Sequence, residues 1–102
     1  MNLLSLFGKN KIKDALRRGA IVIDVRPPNR FDEGHVKDAV NIPVDRLSIN
    51  AERLKNMNRP IIFCCDSGFE SSMGVKMMKQ RGAKEVYNGG SWVNLNKLMK
   101  KI

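Results

Sequence analysis

Cysteine is scarce in this chain, with only two in 102 residues, and they are neighbours, Cys64 and Cys65. Adjacent residues cannot tie distant parts of a chain together, so a disulfide scaffold is excluded. Histidine is scarcer still. The single His35 has no ligand spacing with the two cysteines, so no metal site is expected. No apolar run approaches the roughly 20 residues of a membrane span. Residues 1–8 (MNLLSLFG) include apolar residues, but no basic residue precedes them and no small-residue cleavage site follows. A secretory signal normally carries both, so none is read, and a cytoplasmic protein is expected. Aromatics are few, and no nucleic-acid motif is recognisable. Neither nucleic acid nor membrane is expected as a partner. Repeats, linkers and low-complexity tracts are also missing.

What remains is the composition of an ordinary globular chain, 42% hydrophobic and 28% charged. Residues 1–102 are read as one domain, long enough for a core without staples. The net charge of +9 is unevenly spread. Residues 1–20 carry five basic groups against one acid, and residues 76–102 carry seven against one. The middle, 21–75, carries seven against eight. The basic excess therefore sits at both ends, where solvated helix faces explain it more simply than an acidic partner does.

The order of elements follows from periodicity and breakers. Residues 9–18 place Ile12, Ala15 and Leu16 on one helical face, and Gly19 suits the helix end. Residues 20–25 (AIVIDV) read as a buried strand. Arg26-Pro27-Pro28 then calls for an extended exit and forbids an immediate helix. Phe31 to His35 reads as a loop or single turn, and Ala39 to Ile42 as a second strand stopped by Pro43. Short helical pieces are expected over 44–55, a third strand from Pro60 and a fourth at Glu85 to Tyr87. A sharp turn is expected at Gly89-Gly90, and a helix over 91–101 carrying Trp92, Leu95, Leu98 and Met99. Alternating strands and helices indicate an α/β fold, a small and mostly parallel sheet with helices on both faces.

One stretch stands apart. Residues 60–82 run from an apolar strand, Ile61 to Cys65, through a polar turn, Asp66-Ser67-Gly68-Phe69-Glu70, into a helical segment from Ser71. That order sets Cys65 at a strand's carboxyl end and at the mouth of a helix amino terminus. Free backbone amides there favour an anion such as a thiolate. Alternation along the strand turns Cys64 the other way, so Cys64 should pack in the core while Cys65 stays available. Met73, Met77 and Met78 are read as core filling rather than as ligands. A cysteine phosphatase also feeds a Cys loop into a helix, but its chemistry needs a loop Arg on the phosphoryl oxygens. No Arg occurs between Cys65 and Lys79. That reading fails.

Three separated motifs carry a likeness. They are IDVRPPNRFDEGHVKDAVNIP at 23–43, CDSGFESS at 65–72 and VYNGG at 86–90. Together, over about residues 12–95, the chain resembles a small single-domain rhodanese, a thiosulfate sulfurtransferase. The resemblance implies that Cys65 is the catalytic residue, taking a sulfane sulfur as a persulfide and passing it on. Asp66, Ser67, Gly68, Phe69, Glu70 and Ser71 would form the substrate-binding loop, its amides cradling the anion. Asp24 and Arg26 would pair to fix the surrounding loops, and His35 would act as a structural hydrogen-bonder. The donor would be thiosulfate or a persulfide, and the acceptor a thiol, cyanide or an acceptor protein. No dissociable cofactor is implied, and a monomer is expected. Glu70 stands where many family members carry Arg, which leads us to expect weaker use of doubly charged thiosulfate. Arg30 stands where an acid usually precedes the aromatic that is Phe31 here. A catalytically weak rhodanese-like binding module, docking a partner through this loop and the basic ends, is the alternative from another class. Phe69 would then be its contact.

Overall fold

The computed structural model describes residues 5–102. Ser5 caps the first helix, α1 (Leu6–Arg17), its hydroxyl accepting from the Gly8 amide at 3.1 Å. The chain continues through β1 (Ile21–Asp24), α2 (Pro28–Glu33) and β2 (Val40–Asn41). A short 3-10 turn (Val44–Arg46) leads into α3 (Leu47–Lys55). Then follow β3 (Ile61–Cys65), α4 (Phe69–Gln80), β4 (Val86–Ser91) and α5 (Trp92–Met99). The four strands form one sheet in the order β2-β1-β3-β4, every pair parallel.

A parallel sheet needs cover on both faces, and alternation along the strands supplies two separate cores. Ile21, Ile23, Ile61, Phe63 and Cys65 point to one side, against Leu47, Ala51 and Leu54 of α3 and Met78 of α4. Val22, Ile62 and Cys64 point to the other, against Ile12 and Ala15 of α1 and Leu95 and Leu98 of α5. Because β3 is central, its carboxyl end opens between the two helix layers. Cys65 sits at that end.

Three local expectations are corrected. The Pro pair does not hold off a helix. Pro27 caps α2 and Pro28 is its first residue, where a fixed φ and a missing N–H cost nothing. Gly89-Gly90 is not a sharp turn but part of β4, whose register shifts between Phe63 and Cys65 of β3. Phe63 faces Asn88 and Cys65 faces Ser91, so one extra residue bulges from β4 there. Met73 does not fill core. It is 49% exposed, whereas Met78 is buried and Met77 partly so.

Close approach, rather than turn geometry, explains Gly89. A Cβ at that position would lie 2.9 Å from Ile62 Cγ2, 3.1 Å from Leu95 Cδ2 and 3.1 Å from the Phe63 carbonyl oxygen. The carbonyl belongs to the sheet and cannot move aside. Gly89→Ala is therefore expected to destabilise by about 2 kcal/mol, as overpacked cores do. Thermal unfolding should show a midpoint lower by roughly 10 °C for a domain of this size. A midpoint unchanged within 2 °C, roughly the resolution of such scans, would mean that β4 slides freely.

Candidate active site

β3 reads IIFCC and is buried along its whole length, so it delivers Cys65 to the carboxyl end of the sheet in a fixed direction. Asp66, Ser67 and Gly68 then reverse the chain. Gly68 does so at φ +97°, a conformation that L side chains rarely adopt. The turn brings the start of α4 back over the sulfur. The Gly68 amide donates to Cys65 Sγ at 2.9 Å, and the Ser71 amide does so at 3.4 Å. Ser71 Oγ lies 3.4 Å from the same sulfur. Amides in a helix's first turn have no partner inside the helix. Here one of them, with the amide just before it, points at Sγ.

A second layer holds the loop. Asn88 of β4 donates from Nδ2 to the Gly68 carbonyl at 3.0 Å. Its Oδ1 accepts from Ser71 Oγ at 2.7 Å and from the Gly90 amide at 2.9 Å. One side chain thus ties the turn, the first turn of α4 and the β4 bulge together.

On the other side stands a buried ion pair. Arg26 and Asp24 are 2% and 0% exposed, and two guanidinium nitrogens meet the carboxylate at 2.7 to 3.1 Å. The hydrogen bonds to Asp24 hold the Arg26 pKa above its ordinary value, against the opposing effect of burial. Arg26 also donates to the carbonyls of Gly34 and Arg30, and its guanidinium lies 4.9 Å from the Trp92 ring centroid. Asn41 donates to the carbonyls of Asp24 and Arg26. Together these bonds fix the strand end beside the loop.

The loop residues fall into distinct positions. Asp66 is drawn outward to Arg30, 3.0 Å away, with Arg26 at 3.6 Å. That contact raises the Arg30 pKa. Ser67 Oγ accepts from the Phe69 amide. Phe69 is 72% exposed at the lip. Glu70 is half-buried beside a cleft that also includes Pro27, Pro28, Ile49, Arg46 and Arg53. His35 is not brought to the sulfur. It stacks on Phe31 with ring centroids 3.7 Å apart, and its Nδ1 lies 2.8 Å from the Phe31 carbonyl.

Cys65 itself corrects an expectation. It is 0% exposed, as is Cys64, although the two face opposite cores. Gly68 and Ser71 close over the sulfur, while Asp66, Ser67 and Phe69 around it remain exposed. Cys64 packs instead into the core formed with α1 and α5. Burial, followed by the Asp24 charge, pushes its thiol well above the ordinary range, so it stays protonated at neutral pH.

Two contributors escaped the sequence reading. Asn88 lies inside a motif that was noticed, and its signal was a lone amide between Tyr87 and Gly89 in a strand. Arg30 looked like a mere departure from pattern, and only the fold brings it across to Asp66. Among the described residues no group of three His, Cys, Asp or Glu side chains is placed to hold a metal, and no helix is long and apolar enough to cross a membrane.

A family model described as the rhodanese-like domain matches residues 8–96. An uncharacterised protein of Bacillus subtilis, YqhL, is 32% identical over 71 residues, which cover 70% of this chain and 56% of that protein. The thiosulfate sulfurtransferase GlpE of Pseudomonas syringae is 32% identical over 76 residues, covering 72% of this chain and 70% of that protein. For the putative sulfur carrier protein YrkF of B. subtilis, 34% identical over 67 residues, the match covers 66% of this chain and only 36% of the relative. Among solved structures, a rhodanese with anions from E. coli superposes with a TM-score of 0.68 at 26% identity, over 74% of this chain and 91% of that one.

Proposed function

The chain belongs to the rhodanese-like domain family, and from that premise we propose that it is a sulfurtransferase working through a persulfide on Cys65. The supporting observation is the pair of backbone amides, from Gly68 and Ser71, that converge on Cys65 Sγ. Hydrogen bonds to the charged form favour it, and these donors cost no reorganisation during reaction. The Cys65 thiolate attacks the outer sulfur of the donor. A new S–S bond forms, the donor's own bond to that sulfur breaks, and its electron pair leaves with sulfite or a thiolate. A thiol or cyanide acceptor then attacks the terminal sulfur, and the electron pair returns to Cys65. No external oxidant or reductant is needed.

The donor is set by charge. Asp66 is engaged by two guanidinium groups, so Glu70 is the acid that most opposes an incoming anion. A unit charge about 6 Å away through water contributes roughly 0.7 kcal/mol, and a dianion doubles this to about tenfold in affinity. A neutral or singly charged sulfane donor escapes most of that cost, which favours an alkyl persulfide or a neutral organic polysulfide over dianionic thiosulfate. Glu70→Gln is expected to lower the apparent KM for thiosulfate by about three- to tenfold, less at high salt. The KM for a neutral organic trisulfide should barely move. Equal changes for both donors would remove charge as the discriminator.

The decisive experiment is intact-protein mass after brief exposure to thiosulfate and, separately, to a polysulfide. Gain of one sulfur atom, discharged by cyanide or a thiol, is the expected result. No gain from either donor on folded, reduced protein would overturn the enzyme reading. The exposed Phe69 at the lip favours the second reading, a docking module, which would then lead.

A further inference from the structure

The hydrogen bonds around Ser71 have a direction that can be worked out. Asn88 cannot be flipped, because the Gly90 amide can only donate and the Gly68 carbonyl can only accept. Oδ1 therefore faces Gly90 and Ser71, and an amide oxygen has no hydrogen to give. The 2.7 Å contact to Ser71 must be donated by the Ser71 hydroxyl. That hydroxyl has one hydrogen only. Towards Cys65 Sγ, 3.4 Å away, it offers lone pairs, so in the thiol state the S–H donates to Ser71.

Ionising Cys65 removes the S–H and leaves lone pairs facing an anion. A turn of the Ser71 hydroxyl from Asn88 to Sγ relieves this and forms a charge-assisted bond, roughly twice as strong as the neutral one it breaks. Asn88 Oδ1 keeps the Gly90 amide throughout, so the turn leaves no orphaned acceptor. The amides of Gly68 and Ser71 serve both states. Of the charged side chains nearby, Asp24 pairs with Arg26 and Asp66 with Arg30, while Glu70 stands beside Ser71, and none is a hydrogen-bond partner of Sγ among the described residues.

We propose that Asn88 is a positioning residue that sets the direction of the Ser71–Cys65 hydrogen bond, holding the Ser71 hydroxyl as an acceptor beside the thiol and releasing it as a donor to the thiolate or persulfide. This deepens the sulfurtransferase reading and rests on Cys65 being the reacting sulfur. Its test reads the thiol itself, so a failure of sulfur transfer would leave it standing.

The test is a double-mutant cycle on the alkylation rate of Cys65 by a small haloacetamide at one neutral pH, in a Cys64→Ala background. Ser71→Ala is expected to slow the reaction about tenfold, the worth of one hydrogen bond to a charged group, and Ser71→Thr to restore it. With Asn88→Ala the hydroxyl no longer has a competing acceptor, so the Ser71→Ala penalty should grow to about 50-fold. A residue that merely braces the loop gives the opposite sign, because a slackened loop makes Ser71 count for less. A penalty that shrinks or stays the same overturns the proposal. Raman spectra of the reduced protein supply a check that survives if Asn88→Ala fails to fold. The Cys65 S–H stretch should move on Ser71→Ala, and an unmoved band overturns the proposal equally.

Discussion

Cys65→Ser is expected to abolish sulfur loading from every donor while leaving the fold in place. Serine is smaller by little, and its hydroxyl still accepts from the Gly68 and Ser71 amides that converge on Sγ. It stays protonated at neutral pH, where even a partly ionised thiol is a far better nucleophile. The loss should be complete rather than partial, since the proposed persulfide forms on this atom alone. Cys65→Ala separates the two roles. It removes the acceptor, leaving two buried amides unsatisfied at about 1–3 kcal/mol each. Alanine should therefore melt well below serine, although both are inactive. Intact mass after donor exposure, with thermal unfolding of the three proteins, checks both halves. Sulfur gained by Cys65→Ser would move the chemistry to another residue. Equal melting of the serine and alanine proteins would mean that the amides do not depend on the sulfur.

Much of this arrangement was legible because it rests on short-range rules. The run IIFCC followed by DSG reads as strand then turn wherever it occurs, and Gly68 at positive φ is what such a turn requires. The Asp24–Arg26 pair was expected too, but with the family resemblance rather than from the local pattern. What failed depended on register or on distant packing. α2 begins at Pro28 because its first amides need no partners, and helix-breaking rules apply only to interiors. Gly89-Gly90 signals a turn locally, yet the bulge and the tight contact with Ile62 keep it in the sheet. The burial of Cys65 could not be read from alternation, which distinguishes faces but not depth. Nor does sequence distance bring Arg30 to Asp66, 36 residues apart, or Asn88 to Ser71, 17 apart. The chemistry of the loop was written locally, and its support was not.

Asp24→Ala is expected to be the most damaging change to the fold. Arg26 is 2% exposed, and its carboxylate partner is fully buried. Removing one member of a buried pair costs about 3–5 kcal/mol, and here it leaves the Arg26 charge with only Asp66, 3.6 Å away, and two carbonyls as partners. Against a typical domain stability of about 5–15 kcal/mol, this approaches collapse. The melting midpoint should fall by at least about 12 °C, at roughly 4 °C or more for each kcal/mol. Replacing both partners, with Asp24→Leu and Arg26→Met, removes the stranded charge and should recover part of the loss. Their coupling then appears in a double-mutant cycle. Recovery of stability should not bring recovery of function. Arg26 also holds the Gly34 and Arg30 carbonyls, stacks near Trp92 and reaches Asp66, so the double mutant loses the brace behind the loop. A stable but slow double mutant would show that the pair serves the site more than the fold. If Asp24→Ala costs less than about 1 kcal/mol, the pair behaves as exposed pairs do, and the brace lies elsewhere.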